Sequence, residues 1–176
     1  MSPHPPATRL SVSFEGTPAQ PALGAWLRRQ LRVILPLAGV QGGSIDLLIV
    51  GDSSMRRLHR RHMGLNSTTD VLTFDLRDHL TGPPAADIVL CRDEAQRQAA
   101  RRGHEVRCEL LLYAVHGLLH TLGYDDHVPA EADRMHALED ELLIAAGIGP
   151  VYATTGRRIT APAAPPARPL RRRARP

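Results

Sequence analysis

Two histidines one helical turn apart, His116 and His120, stand inside an apolar run that reads V-H-G-L-L-H-T-L-G-Y-D-D-H from Val115 to His127. On a helix such a pair shares one face, with Cβ atoms about 5–6 Å apart, so both imidazoles can grip a single ion. An apolar helix offers an imidazole few bonding partners, and buried polar groups need them. Gly123 then lets the backbone turn sharply, bringing Asp126 and His127 into reach as a third ligand. Imidazole nitrogen and carboxylate oxygen both hold zinc at about 2.0–2.2 Å, and three protein ligands leave a fourth position for water, the pattern of a catalytic site. One Zn2+ is therefore the expected cofactor, although other divalent ions accept the same donors.

Asp126 and His127 are alternatives for the third ligand. Extended metallohydrolase motifs of the form H-x-x-x-H-x-x-G-x-x-ligand put that ligand three residues after the glycine. This register favours Asp126, with His127 as its neighbour or substitute and Asp125 as a group that orients an imidazole. In H-E-x-x-H proteases a Glu general base follows the first histidine. Gly117 occupies that position here, which weighs against a peptidase of that type.

The elements that must position these groups follow from the pattern of apolar residues. Leu10, Val12 and Phe14 alternate as in a half-buried strand, and Leu23, Trp26, Leu27, Leu31 and Ile34 recur at helical spacing, closed by Pro36 and Gly39. Ile45 to Val50 is a continuous apolar run suited to a central strand. Asp52 can cap a helix that runs through Met55 and Leu58 to Gly64. Val71–Phe74 and Ile88–Cys91 read as strands, with a turn at 82–84 between them. Helices follow over 93–102, 109–122 and 131–146. The order predicts an α+β fold, one mixed sheet of about four strands packed with helices and carrying a zincin-like metal helix. Residues 1–8 read as a loose N-terminus, 9–150 as the hydrolase domain, and 151–176 as a disordered Pro/Ala/Arg-rich tail.

Charge is divided along the chain. All acidic residues precede position 150, where fifteen Arg against eighteen acids leave a formal −3; seven Arg and no acid follow. The folded part is thus a poor match for RNA by charge alone, whereas the Arg-rich tail can supply salt-dependent phosphate affinity. No apolar run approaches the roughly 18 residues that span a bilayer, and the first residues lack the apolar segment of a signal peptide, so a cytoplasmic location is expected. Cys91 and Cys108 lack C-x-x-C spacing and read as reduced, small apolar residues.

The run HGLLHTLGYDD, followed by a helix carrying Met135 and Glu139, resembles the YbeY family of bacterial endoribonucleases. Thr69-Asp-Val-Leu-Thr-Phe74 is similar to that family's T-[ND]-V-L-S-F strand, and Ala86-Asp-Ile-Val-Leu-Cys91 to its G-D-I-V-I-C strand. The resemblance covers about residues 45–147. It implies a compact α+β fold, zinc on the His-rich motif, and cytoplasmic cleavage of single-stranded RNA in ribosomal RNA maturation and ribosome quality control. RNA, and possible contacts with small ribosomal subunit proteins, are the partners implied. The chain departs from the family pattern at Asp126, where most members have His, and at Met63, where an Arg often precedes the glycine. Arg60 and Arg61 lie within one turn of Met63 and are the expected phosphate contacts; otherwise they form a solvated helix face. Asp70 and Asp87 read as strand-end carboxylates that cap turns, and His59, His62, His104 and His136 as surface or local structural residues. Two other readings of the chain are a non-catalytic ribosome assembly factor stabilised by zinc and a zinc peptidase.

Overall fold

In the segment Ser44–Val50, Ile45, Leu47 and Ile49 point to one side of a strand while Leu48 and Val50 point to the other, and both sides are covered. The computed structural model describes residues 7–77 and 82–151. In chain order the elements are β1 (Arg9–Glu15), α1 (Pro21–Leu37), β2 (Ser44–Val50), α2 (Asp52–Met63), β3 (Val71–Asp75), β4 (Ala85–Cys91), α3 (Arg92–Arg102), α4 (Val106–Thr121) and α5 (Pro129–Ala145). The sheet order is β1-β2-β4-β3. The first three neighbours run parallel, and β3 is antiparallel to β4. This is the mixed four-stranded α+β architecture expected.

One face of the sheet carries the main core, where Ile45, Leu47, Ile49, Ile88 and Leu90 meet apolar residues of α1, α4 and α5. The other face carries a smaller cluster of Val50, Leu72, Val89 and Cys91 beneath Met55 and Leu58 of α2. Helices α4 and α2 therefore lie on opposite sides of the sheet.

Some local details differ from expectation. Gly51, not Asp52, occupies the N-cap of α2, and no side chain caps that end. Asp52 instead accepts from both Nη1 and Nη2 of Arg97, at 2.7 and 2.8 Å, which ties the start of α2 to α3. The same guanidinium holds the Asp52 pKa down at about 2. Pro36 lies inside the last turn of α1 rather than ending it, since its ring displaces only one bond near a helix end. The turn expected at 82–84 follows four residues outside the described ones. Residues 1–6 and 152–176 also lie outside, so the expected loose N-terminus and Arg-rich tail are not described beyond Ala7, Thr8 and Val151. Thr8 donates to the Gly42 carbonyl, and Val151 is buried with its N–H on Asp140.

Candidate metal centre

Helix α4 is apolar on most of its circumference because it runs through the middle of the molecule, touching α1, α3, α5, β3 and β4. Its contact with the sheet explains the missing glutamate. A Cβ added at Gly117 would stand 2.7 Å from Ile88 Cγ2 and 2.7 Å from Thr73 Oγ1. A carboxylate here would be driven into the sheet, away from the imidazoles on the neighbouring face.

The His116 and His120 rings meet edge to face, with Nε2 atoms 3.0 Å apart. Their other nitrogens are already committed. His120 Nδ1 lies 3.1 Å from the Tyr124 carbonyl, which can only accept, so this nitrogen carries hydrogen. His116 donates from Nδ1 to Glu139 Oε1 at 2.7 Å. With both rings neutral, these partners assign the Nε2 atoms as two bare lone pairs facing each other. That contact is repulsive unless a cation, metal or proton, sits between them.

The chain after α4 supplies a third donor. Gly123 adopts φ +96°, where side chains are strained, and Tyr124 N–H returns to the Leu119 carbonyl. This bend carries Asp126 back so that its carboxylate oxygens lie 3.7 Å from His116 Nε2 and 3.6 Å from His120 Nε2. Ligands about 2.0–2.2 Å from a tetrahedral zinc are separated by about 3.3–3.6 Å, so these three donors stand close to the spacing that one metal ion needs. His127 belongs to a separate group with Asp125 and Asp126; its ring is 85% exposed. Asp125 accepts from the His127 backbone N–H at 3.0 Å and so fixes the turn, and the imidazole beside it is that of His127.

A family model described as Endoribonuclease YbeY matches residues 16–147. The chain belongs to the YbeY family. Among its relatives, Endoribonuclease YbeY of Myxococcus xanthus is 42% identical over 125 residues, which is 69% of this chain; the chain spans only 41% of that longer protein. Endoribonuclease YbeY of Thermobifida fusca is 35% identical over 143 residues, with 76% of this chain and 92% of that protein covered. The fold also matches the solution structure of TM1509 from Thermotoga maritima, with TM-score 0.55 and 20% identity over 85% of this chain and 99% of that one.

Around the YbeY histidines, α5 adds groups that the sequence reading did not assign to the site. Glu139 is 1% exposed and accepts from two imidazoles, His116 at Oε1 and His136 at Oε2 (2.9 Å). His136, expected as a surface or local structural residue, is mostly buried and stacks on His116 with ring centres 6.4 Å apart. The available signal was the pair His136-x-x-Glu139, which places an acceptor beside an imidazole on one helix face. Burial by itself would lower the His116 pKa, but the bond and charge of Glu139, with Asp126 and Asp70, outweigh it and raise it. Burial and the positive charge of His116 lower that of His120.

The site opens on a cavity of about 500 Å3. Its lining includes the carboxylates of Asp70, Glu94, Glu109, Asp126 and Glu139 against one guanidinium, Arg102, and the imidazoles of His116 and His136, so its formal charge is negative and a bound cation would favour entry of an anion. Glu109 is fully buried; burial pushes its pKa up despite Arg102 and His104 at 3.0 and 2.9 Å. Asp70 both lines the cavity and accepts from Val71 N–H and Thr69 Oγ1, the turn role expected. Asp87 is exposed on β4. His59 bonds to the Ser67 carbonyl, His62 packs on Phe74, and His104 pairs with Glu109, all local roles. Arg60 and Arg61 are exposed on the last turn of α2, and neither lines the cavity, because α2 rests on the opposite face of the sheet.

Proposed function

We propose that this chain is an endoribonuclease that hydrolyses single-stranded RNA, acting in the cytoplasm on ribosomal RNA during its maturation and in ribosome quality control, in contact with small ribosomal subunit proteins. One Zn2+ is held by His116, His120 and Asp126. The observation that carries this reading is the pair of imidazole nitrogens facing each other at 3.0 Å beside a carboxylate, at the edge of a cavity of negative formal charge. The names of the relatives supply the substrate class. Among the described residues no helix is long and apolar enough to cross a membrane.

A divalent ion at such a site polarises a phosphoryl oxygen and acidifies a water. The protein's own groups do the rest. Glu139 fixes the His116 tautomer and ring angle, so that Nε2 points at Asp126 and His120 rather than into α5. The Tyr124 carbonyl does the same for His120. Asp126 offsets the cation's charge, and Arg102, held by Glu109, is the guanidinium that meets a phosphate inside the cavity. Arg60 and Arg61 are left to phosphates outside it. The position of Gly117 against the sheet leaves no place for the glutamate base of an H-E-x-x-H peptidase.

The test is cleavage of single-stranded RNA and of casein by purified protein, with and without chelator, beside His120→Ala. RNA cleavage that disappears with chelator and in the variant, while the variant stays folded, supports the proposal. Cleavage of casein alone, or a protein that merely melts at lower temperature on chelation and cuts nothing, overturns it.

A further inference from the structure

A second cavity, of about 530 Å3, shares no lining residue with the first. On α3 it takes Arg92 and Gln96, whereas the metal cavity takes Glu94, Gln98 and Arg102. Residues two apart on a helix differ by about 200°, so the two cavities lie on opposite faces of α3. Their charges are also opposite. The second is lined by the guanidinium groups of Arg29, Arg92 and Arg107 against one carboxylate, Glu105. Arg92 bonds to the neutral Thr17 hydroxyl at 2.7 Å and forms no ion pair among the described residues, and the Arg107–Glu105 pair is exposed on both sides. Half-buried between them is Trp26, its body packed on the core and its ring 5.0 Å from the Arg107 guanidinium.

We infer that this groove binds single-stranded RNA, the part of a substrate strand that extends beyond the metal cavity, with a base stacked on the Arg107 guanidinium that lies over Trp26 and flanking phosphates on Arg29 and Arg92. An aromatic face among guanidinium groups suits any base and tracks a backbone without reading sequence. An acidic peptide would use the charges but leave the ring without a role. The inference rests on the RNA reading above and extends it to a second contact surface. It also accounts for how a domain with a formal excess of acid before its Arg-rich end can retain a polyanion.

Trp26 is the only tryptophan in the chain, so its emission reports on this groove alone. Titrating the full chain with an end-labelled single-stranded RNA, long enough to span both cavities, should quench Trp26 along the same saturation curve as the label's anisotropy. Arg29→Glu and Arg107→Glu, both at exposed positions, should weaken the quench and lower the slope of log affinity against log salt by about 0.7 for each lost contact. Cutting of an oligonucleotide too short to leave the metal cavity should be unchanged. If RNA binds and is cut while Trp26 emission stays flat, or if the charge reversals leave both quench and salt slope intact, the groove is not an RNA site and the nuclease reading survives. If RNA neither binds nor is cut, both readings fall together.

Discussion

Glu139 reaches from α5 to His116 on α4 with a 2.7 Å hydrogen bond, while its second oxygen holds His136. This buried carboxylate is the reason the His116 ring presents Nε2, and not Nδ1, to His120 and Asp126. Replacing it with Gln keeps the shape but removes the charge that supports the bound tautomer. Groups in this position contribute about 10–100-fold to metal affinity, and Glu139→Gln should lose about that much. A competition titration against a chromophoric chelator reads it directly; an unchanged affinity would mean that His116 needs no such support.

The third ligand can be assigned by substitution. Asp126→Ala should abolish stoichiometric zinc in purified protein, whereas His127→Ala should retain it, because the His127 ring lies in solvent. Asp126→His should keep the metal, since the donor is restored in the same register. Elemental analysis of the three variants distinguishes these outcomes, and loss of zinc in His127→Ala alone would reverse the assignment.

Gly117→Ala sets two effects against each other. Ala is the better helix former by about 1 kcal/mol, but its Cβ would clash with Ile88 and Thr73 of the sheet. Overpacking typically costs about 1–3 kcal/mol, so net destabilisation on the order of 1 kcal/mol is expected in guanidinium unfolding. A stabilised variant would show that the helix–sheet contact yields easily.

Acid should expose the Asp52–Arg97 tie. The folded-state pKa of Asp52 is depressed, from 3.8 to about 2. Its contribution is therefore present above pH 4 and lost as pH falls toward 2. The difference in stability between the native chain and Asp52→Asn should be constant near neutrality and shrink between pH 4 and 2. Denaturant melts at several pH values measure it, and a difference that grows in acid would contradict the pairing.

How much of this could be read from the residues depended on range. His116, His120, Gly123 and Asp126 lie within eleven consecutive positions, so helix periodicity and one glycine bend bring them together without knowledge of the fold. Glu139 and His136 join them only because α5 docks on α4, a tertiary event that no local spacing encodes. Arg60 and Arg61 failed to reach the cavity for the same kind of reason: their helix lies under the other face of the sheet. Strands were legible from their apolar runs, but the insertion of β4 between β2 and β3 was not, since pairing partners leave no mark in a single strand's pattern. The buried Glu109 and the acidic lining of the cavity likewise depend on which helix faces meet.

The most direct test of the central claim is calorimetric titration of the chelator-stripped protein with Zn2+, beside His116→Ala and His120→Ala. The proposed centre predicts one ion per chain in the native protein and loss of that binding in either variant. A native chain that takes up no divalent ion, or variants that bind it as well as the native chain does, would contradict the metal centre and the hydrolytic chemistry built on it.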